Sequence, residues 1–126
     1  LQNFASDVIE STIEKSGLHA AIRKYYELKK TIDSEYYFDE FSFNALGYKF
    51  LNQSKVTEAI TIFKLNVEAY PHSSNVYDSL GEAYEKNGQI EKAKPNYAQA
   101  VEIAEKEKHP NLKIYKQNLE RVQEKS

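Results

Sequence analysis

The 126-residue chain contains no cysteine, no methionine and no tryptophan, with only three prolines and four glycines. Without cysteine there are no disulfides, no thiolate nucleophile and no thiolate metal site. The lack of cysteine leaves the compartment open. No apolar run approaches the roughly 18 residues of a membrane-spanning helix, and no basic-then-apolar leader opens the chain. Neither sign of charge dominates: the formal net charge is −2, too balanced for a nucleic-acid or anionic-membrane binder. Glycine-rich phosphate loops and G-x-S-x-G turns are missing, so neither nucleotide binding nor serine hydrolysis has a foothold. His19, His72 and His109 stand far apart at expected helix boundaries, with no second ligand at the spacing a metal site needs. We therefore expect no catalytic residue, no metal and no cofactor. Glu82 and Glu85, three apart on one helix, are the one pair that resembles an acid/base couple, and a solvated face explains them as well.

What the chain does contain is a repeat. Phe43, Leu46, Gly47, Phe50, Ala59 and Phe63 are followed, each 34 positions later, by Tyr77, Leu80, Gly81, Tyr84, Ala93 and Tyr97. Aromatic matches aromatic, and the Leu-Gly pair and the alanine recur. Such a period with this spacing resembles the tetratricopeptide repeat, a helix–turn–helix unit that buries its apolar face only by stacking on copies of itself. Residues 17–105 carry the resemblance. It implies an all-α, right-handed superhelix whose first helices line a concave binding surface.

The expected organisation is one domain of three helix pairs and a capping helix: a degenerate first repeat over 1–35, a second over 40–71, a third over 74–108, and a cap over 111–124. In the second repeat, helices cover Glu40–Asn52, capped by Asp39, and Val56–Tyr70, stopped by Pro71. In the third, Asn75 or a neighbouring serine caps a helix ended by Gly88, and a partner helix spans Ile90–Lys108. Gly81 and Ala93 are small where two helices approach closely. Pro95, inside that last helix, predicts a kink or a later start. The first copy fits an offset of 38, its first helix running over about Asn3–Lys15, with the extra residues in a connector from Asp33 to Asp39. Leu112, Tyr115, Leu119 and Val122 form the apolar stripe of the cap.

Carrying the repeat register onto the concave side selects Asn44, Tyr48 and Leu51 in one repeat and Asn75, Asp78, Glu82 and Glu85 in the next, with Asp7, Glu10 and Glu14 in the degenerate copy. This surface is acidic with some aromatic content. Family members that grip acidic chaperone tails carry Lys, Arg and Asn there, so that ligand does not fit. A basic or neutral peptide, or a neighbouring domain, fits better. The same residues read equally as ordinary solvated charges. Residues 1–42 hold eight acidic and five basic side chains, and residues 106–126 hold six basic and three acidic. That polarity is compatible with a homodimer. The cluster Tyr36, Tyr37, Phe38, Phe41 and Phe43 suits either the packing of the connector or an exposed docking patch.

The stretch from Phe63 to Tyr84, FKLNVEAYPHSSNVYDSLGEAY, is similar to the C-terminal repeat tails of certain bacterial serine hydrolases, of esterase and β-lactamase-like type. That resemblance implies a non-catalytic interaction module attached to an enzyme in an envelope or periplasmic setting; the alternative is a free-standing adaptor with an acidic peptide groove. The chain opens on Leu1, before which an initiator methionine is not normally trimmed, so a piece of a longer polypeptide is expected. Departures from the repeat pattern are Asn66, Glu105 and Pro95.

Overall fold

The computed structural model describes residues 3–31 and 35–125. Among the described residues seven helices follow one another: α1 (Ala5–Ser16), α2 (Leu18–Lys30), α3 (Glu40–Asn52), α4 (Val56–Ala69), α5 (Ser74–Lys86), α6 (Ile90–Glu107) and α7 (Leu112–Gln123). They pack as three hairpins, α1–α2, α3–α4 and α5–α6, with α7 against α6. Most of the connector expected from Asp33 to Asp39 is described, but residues 32–34 lie outside the described residues.

The regular hairpins are built the way their shared pattern requires. Phe63 and Tyr97 sit on the second helix of each pair, fully buried, with their rings over Gly47 and Gly81 of the first helix. A Cβ at position 81 would lie 2.8 Å from the Tyr97 ring, and one at position 47 would run into Phe63. The space left by each glycine is therefore taken by an aromatic side chain one turn beyond the small residue Ala59 or Ala93. Ala59, Ala93, Ala100 and Ala104 are all buried, which lets the helices close up. Gly88 adopts φ +76°, the left-handed turn that ends α5.

Helix ends follow the sequence with three corrections. Asp39 caps α3, its carboxylate accepting from the Ser42 amide at 2.9 Å. At α5, however, the cap position falls on Ser73, and its hydroxyl donates to the Glu40 carboxylate at 3.0 Å and caps no amide. Asn75 lies inside the helix. The second correction is Pro95, which does not delay α6: the helix starts at Ile90 and continues through it. Pro95 is exposed, and the Asn96 side chain donates to the Lys92 carbonyl at 2.9 Å, next to the Glu91 carbonyl that the ring crowds.

Third, α1 begins at Ala5, two residues later than expected. Asn3–Phe4 forms a short strand β1, paired in parallel with β2 at Tyr36–Tyr37. The ring of Phe4 meets that of Tyr37 edge-on at 5.7 Å. The aromatic cluster thus divides. Phe43 is buried and Phe38 half-buried, stacked at 6.0 Å, and both meet Tyr25 of α2 edge-on. Tyr37 and Phe41 stay exposed.

Asn66, where the repeat pattern has a small residue, is buried on α4. Its amide donates to the Glu40 carbonyl at 3.1 Å, tying α4 to the start of α3. A second, smaller core (Ala100, Val101, Ala104, Tyr115) joins α6 to the cap, with Leu112 and Leu119 packed against it.

Candidate interaction surface

The first helices of the hairpins, α1, α3 and α5, carry the residues expected to line the concave side, and they fall into two environments. Leu51 is in neither. It is only 6% exposed and belongs to the core, so it is not available to a ligand.

The α3–α5–α7 side is closed electrostatically: its carboxylates are taken up by the protein's own hydrogen bonds, around a depression of about 490 Å³ lined by Glu82, Glu85, Asn118 and Arg121. Ser79 of α5 donates to the Asn44 carboxamide oxygen at 2.6 Å, and Tyr48 donates its phenol to Glu82 at 2.9 Å. Asp78, 8% exposed, accepts from the Asn118 amide at 2.9 Å. Glu85 collects four donors. Arg121 grips it in two-pronged fashion, through Nε at 2.9 Å and Nη2 at 2.8 Å; Lys125 approaches at 3.0 Å and the Tyr97 phenol at 2.7 Å. Arg121 in turn donates to the Asn118 side-chain carboxamide oxygen at 3.0 Å, so the two α7 contacts form one network. Asn75 is half-buried at the first turn of α5.

These surroundings separate Asp78 and Glu85 chemically. The Arg121 guanidinium, seconded by Tyr97 and Lys125, holds Glu85 down at about 2 despite its partial burial. Burial pushes Asp78 the other way, to about 6, partly offset by the Asn118 hydrogen bond. Tyr48 and Tyr97 are raised, first by burial and then by the carboxylates they donate to. Glu85 is thus an anchor for α7 that stays ionised at neutral pH, and it is unsuited to shuttling a proton with a neighbouring carboxylate.

The α1–α3 side is open. Phe4, Asp7 and Glu10 face Phe41, Ala45 and Lys49 across a depression of about 270 Å³. Phe41 is 82% exposed, the most exposed of the large apolar side chains among the described residues. Lys49 forms an ion pair with Glu10, which raises the lysine's pKa, and the negative charges of Glu14 and Asp7 add to that shift. Among the described residues, Asp7 and Glu14 form no ion pair of their own.

Phe41 was grouped above with the connector aromatics, yet the repeat register places it on the concave side: 41 plus 34 is 75, the position of Asn75. The α7 partners Asn118, Arg121 and Lys125 lie off the apolar stripe by which the sequence identifies the cap. Their pairing with α5 depends on how far α7 slides along α5, which the apolar stripe alone leaves undetermined. His109 accepts from the Asn111 amide through Nδ1 at 3.0 Å and packs near Tyr115, a helix-entry role.

Residues 74–107, which are α5 and α6, match the family model for the tetratricopeptide repeat. No curated protein matches the chain. With that match and the hairpin order of the described helices, the fold is an all-α, tetratricopeptide-like helical repeat. Repeats of this kind generally mediate protein–protein interaction and are typically non-catalytic. No helix among the described residues is long and apolar enough to cross a membrane.

Proposed function

We propose that this chain is a non-catalytic interaction module that receives a protein or peptide partner on the concave face, at the open side between α1 and α3. One observation carries the reading: Phe41, at a concave position of the repeat, is 82% exposed beside an unfilled depression. A large apolar side chain in such a place loses solvent contact only when a partner covers it. The depression is smaller than the roughly 300–1,000 Å³ typical of small-molecule sites, which favours an anchor side chain of a polypeptide over a cofactor.

The biological setting rests on the Phe63–Tyr84 stretch, whose likeness to hydrolase-attached repeat tails supports a role as the C-terminal portion of a larger bacterial hydrolase. There the neighbouring domain, a second copy or a third protein would be the partner. The second reading, a free-standing adaptor, draws on the acidic residues of the same face. Coding sequence immediately upstream separates the two: an open frame with a G-x-S-x-G or S-x-x-K motif supports the first, a start codon just before Leu1 the second.

Selection of displayed random peptides on the immobilised chain tests the central claim. Enriched peptides that no longer bind the Phe41→Ala chain support it. Failure to enrich any peptide, or binding that ignores Phe41, overturns it.

A further inference from the structure

From the way the closed side is held, we infer that the occupant of the α1–α3 depression is a polypeptide segment that sets a Lys or Arg within about a helical turn of one bulky apolar anchor. This deepens the reading above and rests on it. On the closed side the molecule binds a segment of this chemistry to its own acidic row: α7 buries Tyr115 and Val122 while Arg121 and Lys125 reach Glu85. The open side presents a matching set of groups, and among the described residues α7 does not reach it. Phe4 and Phe41 stand at its rims, Ala45 and Leu46 line it, and Asp7 and Glu10 supply carboxylates.

Charge decides the sign of the ligand. Asp7 and Glu10 against Lys49 leave the lining at net −1, and Glu14 on the same helix extends the field. Lys49 is already taken by Glu10, so an anionic ligand would have to break that pair and meet Asp7 uncompensated. A cation close to Phe41 gains from the ring face as well as from the carboxylates, and an Arg gains more than a Lys.

The test uses fluorescein-labelled 12-residue peptides with an alanine background, read by anisotropy on the whole chain. One carries a Leu with Arg three and four positions away. A second replaces both Arg with Glu, and a third replaces Leu with Ala. The first is expected to bind at least tenfold more tightly than either of the others. Its affinity should fall at least fivefold in Phe41→Ala, and its salt dependence should flatten in Asp7→Asn. Equal or tighter binding of the Glu peptide, or no effect of Phe41→Ala, overturns the inference. So does light scattering that shows the chain assembling on itself through Phe41, which makes the occupant a second copy. If these peptides fail while display selection still yields Phe41-dependent binders of other chemistry, only this inference falls; if selection also yields nothing, the interaction reading falls with it.

Discussion

The two sides of the concave face are built from the same helix positions and differ in what meets them. On α5 the repeat places Asp78, Glu82 and Glu85, and each is hydrogen-bonded to a neighbouring helix. On α3 the corresponding positions are Asn44, Tyr48 and Leu51; the first two lean towards α5 and the third is core, leaving Phe41, Ala45 and Lys49 towards α1. An acidic row in a repeat protein is therefore a poor guide to a ligand until its neighbours are known. Here the three carboxylates of α5 are structural glue, while Asp7 and Glu14 of α1 form no ion pair among the described residues and stand beside the exposed Phe41.

Removing the clasp on the closed side is expected to have the largest effect. Glu85→Ala leaves Arg121, Lys125 and the buried Tyr97 phenol without their acceptor. Since the Glu85 side chain is only 12% exposed, a loss of about 3 kcal/mol is expected in urea unfolding. Phe41-dependent peptide binding by the chain that remains folded should be unchanged. If Glu85→Ala costs less than about 1 kcal/mol, the closed side is no clasp.

Acid titration sharpens the same contrast. Glu85 has a folded pKa depressed from 4.5 to about 2, so its stabilisation is present above the ordinary value and is lost as pH falls towards 2. Asp78 is raised from 3.8 to about 6, so the folded state favours its protonated form, and stability falls as pH rises from 3.8 through 6. The two slopes oppose one another, and their combined contribution peaks near pH 4–5. Asp78→Asn keeps an oxygen for the Asn118 amide and removes the buried charge. It should stabilise the chain by about 1 kcal/mol at pH 7 and flatten the profile between pH 4 and 6. A destabilised Asp78→Asn would mean that the ionised carboxylate is needed.

Smaller effects are expected on the open side. Lys49→Ala removes a solvent-exposed partner of Glu10, and a surface pair of this kind has little effect on the urea midpoint. Its clearer consequence is stronger binding of the cationic peptide, because the lining becomes more negative. Phe41→Ala should change unfolding free energy by no more than about 0.5 kcal/mol, since the ring is almost fully in solvent. A larger loss would move Phe41 into the core and remove the case for a docking site.

How much of this could be read beforehand follows from the kind of signal each part emits. The regular hairpins were legible because a 34-residue offset aligns Gly47 with Gly81 and Phe63 with Tyr97, and each pair makes one indispensable contact. Helix limits at Asp39 and Gly88 were legible from local chemistry. The β1–β2 pairing was not, because two-residue strands are too short to show alternation. Ser73 looks like any cap, yet its hydroxyl turns to Glu40, a tertiary choice no local pattern encodes. At the site, periodicity identified which face a residue occupies; it could not say which helix would cover that face. That is why Glu85 read as groove, and why Phe41 stood open between connector packing and an exposed patch.

The short strand β1 has a topological consequence. By pairing Asn3–Phe4 with Tyr36–Tyr37 it staples the beginning of the first hairpin to the segment that leaves it. Stacked-repeat proteins usually lose their terminal unit first, one hairpin unravelling while the rest stays folded. Here α1 and α2 are enclosed in a backbone loop whose closure lies next to the Phe38–Phe43 stack of the following hairpin. The N-terminal end therefore unzips only together with the entry to α3, and amide exchange in α1 should report the opening of the second repeat as well as its own.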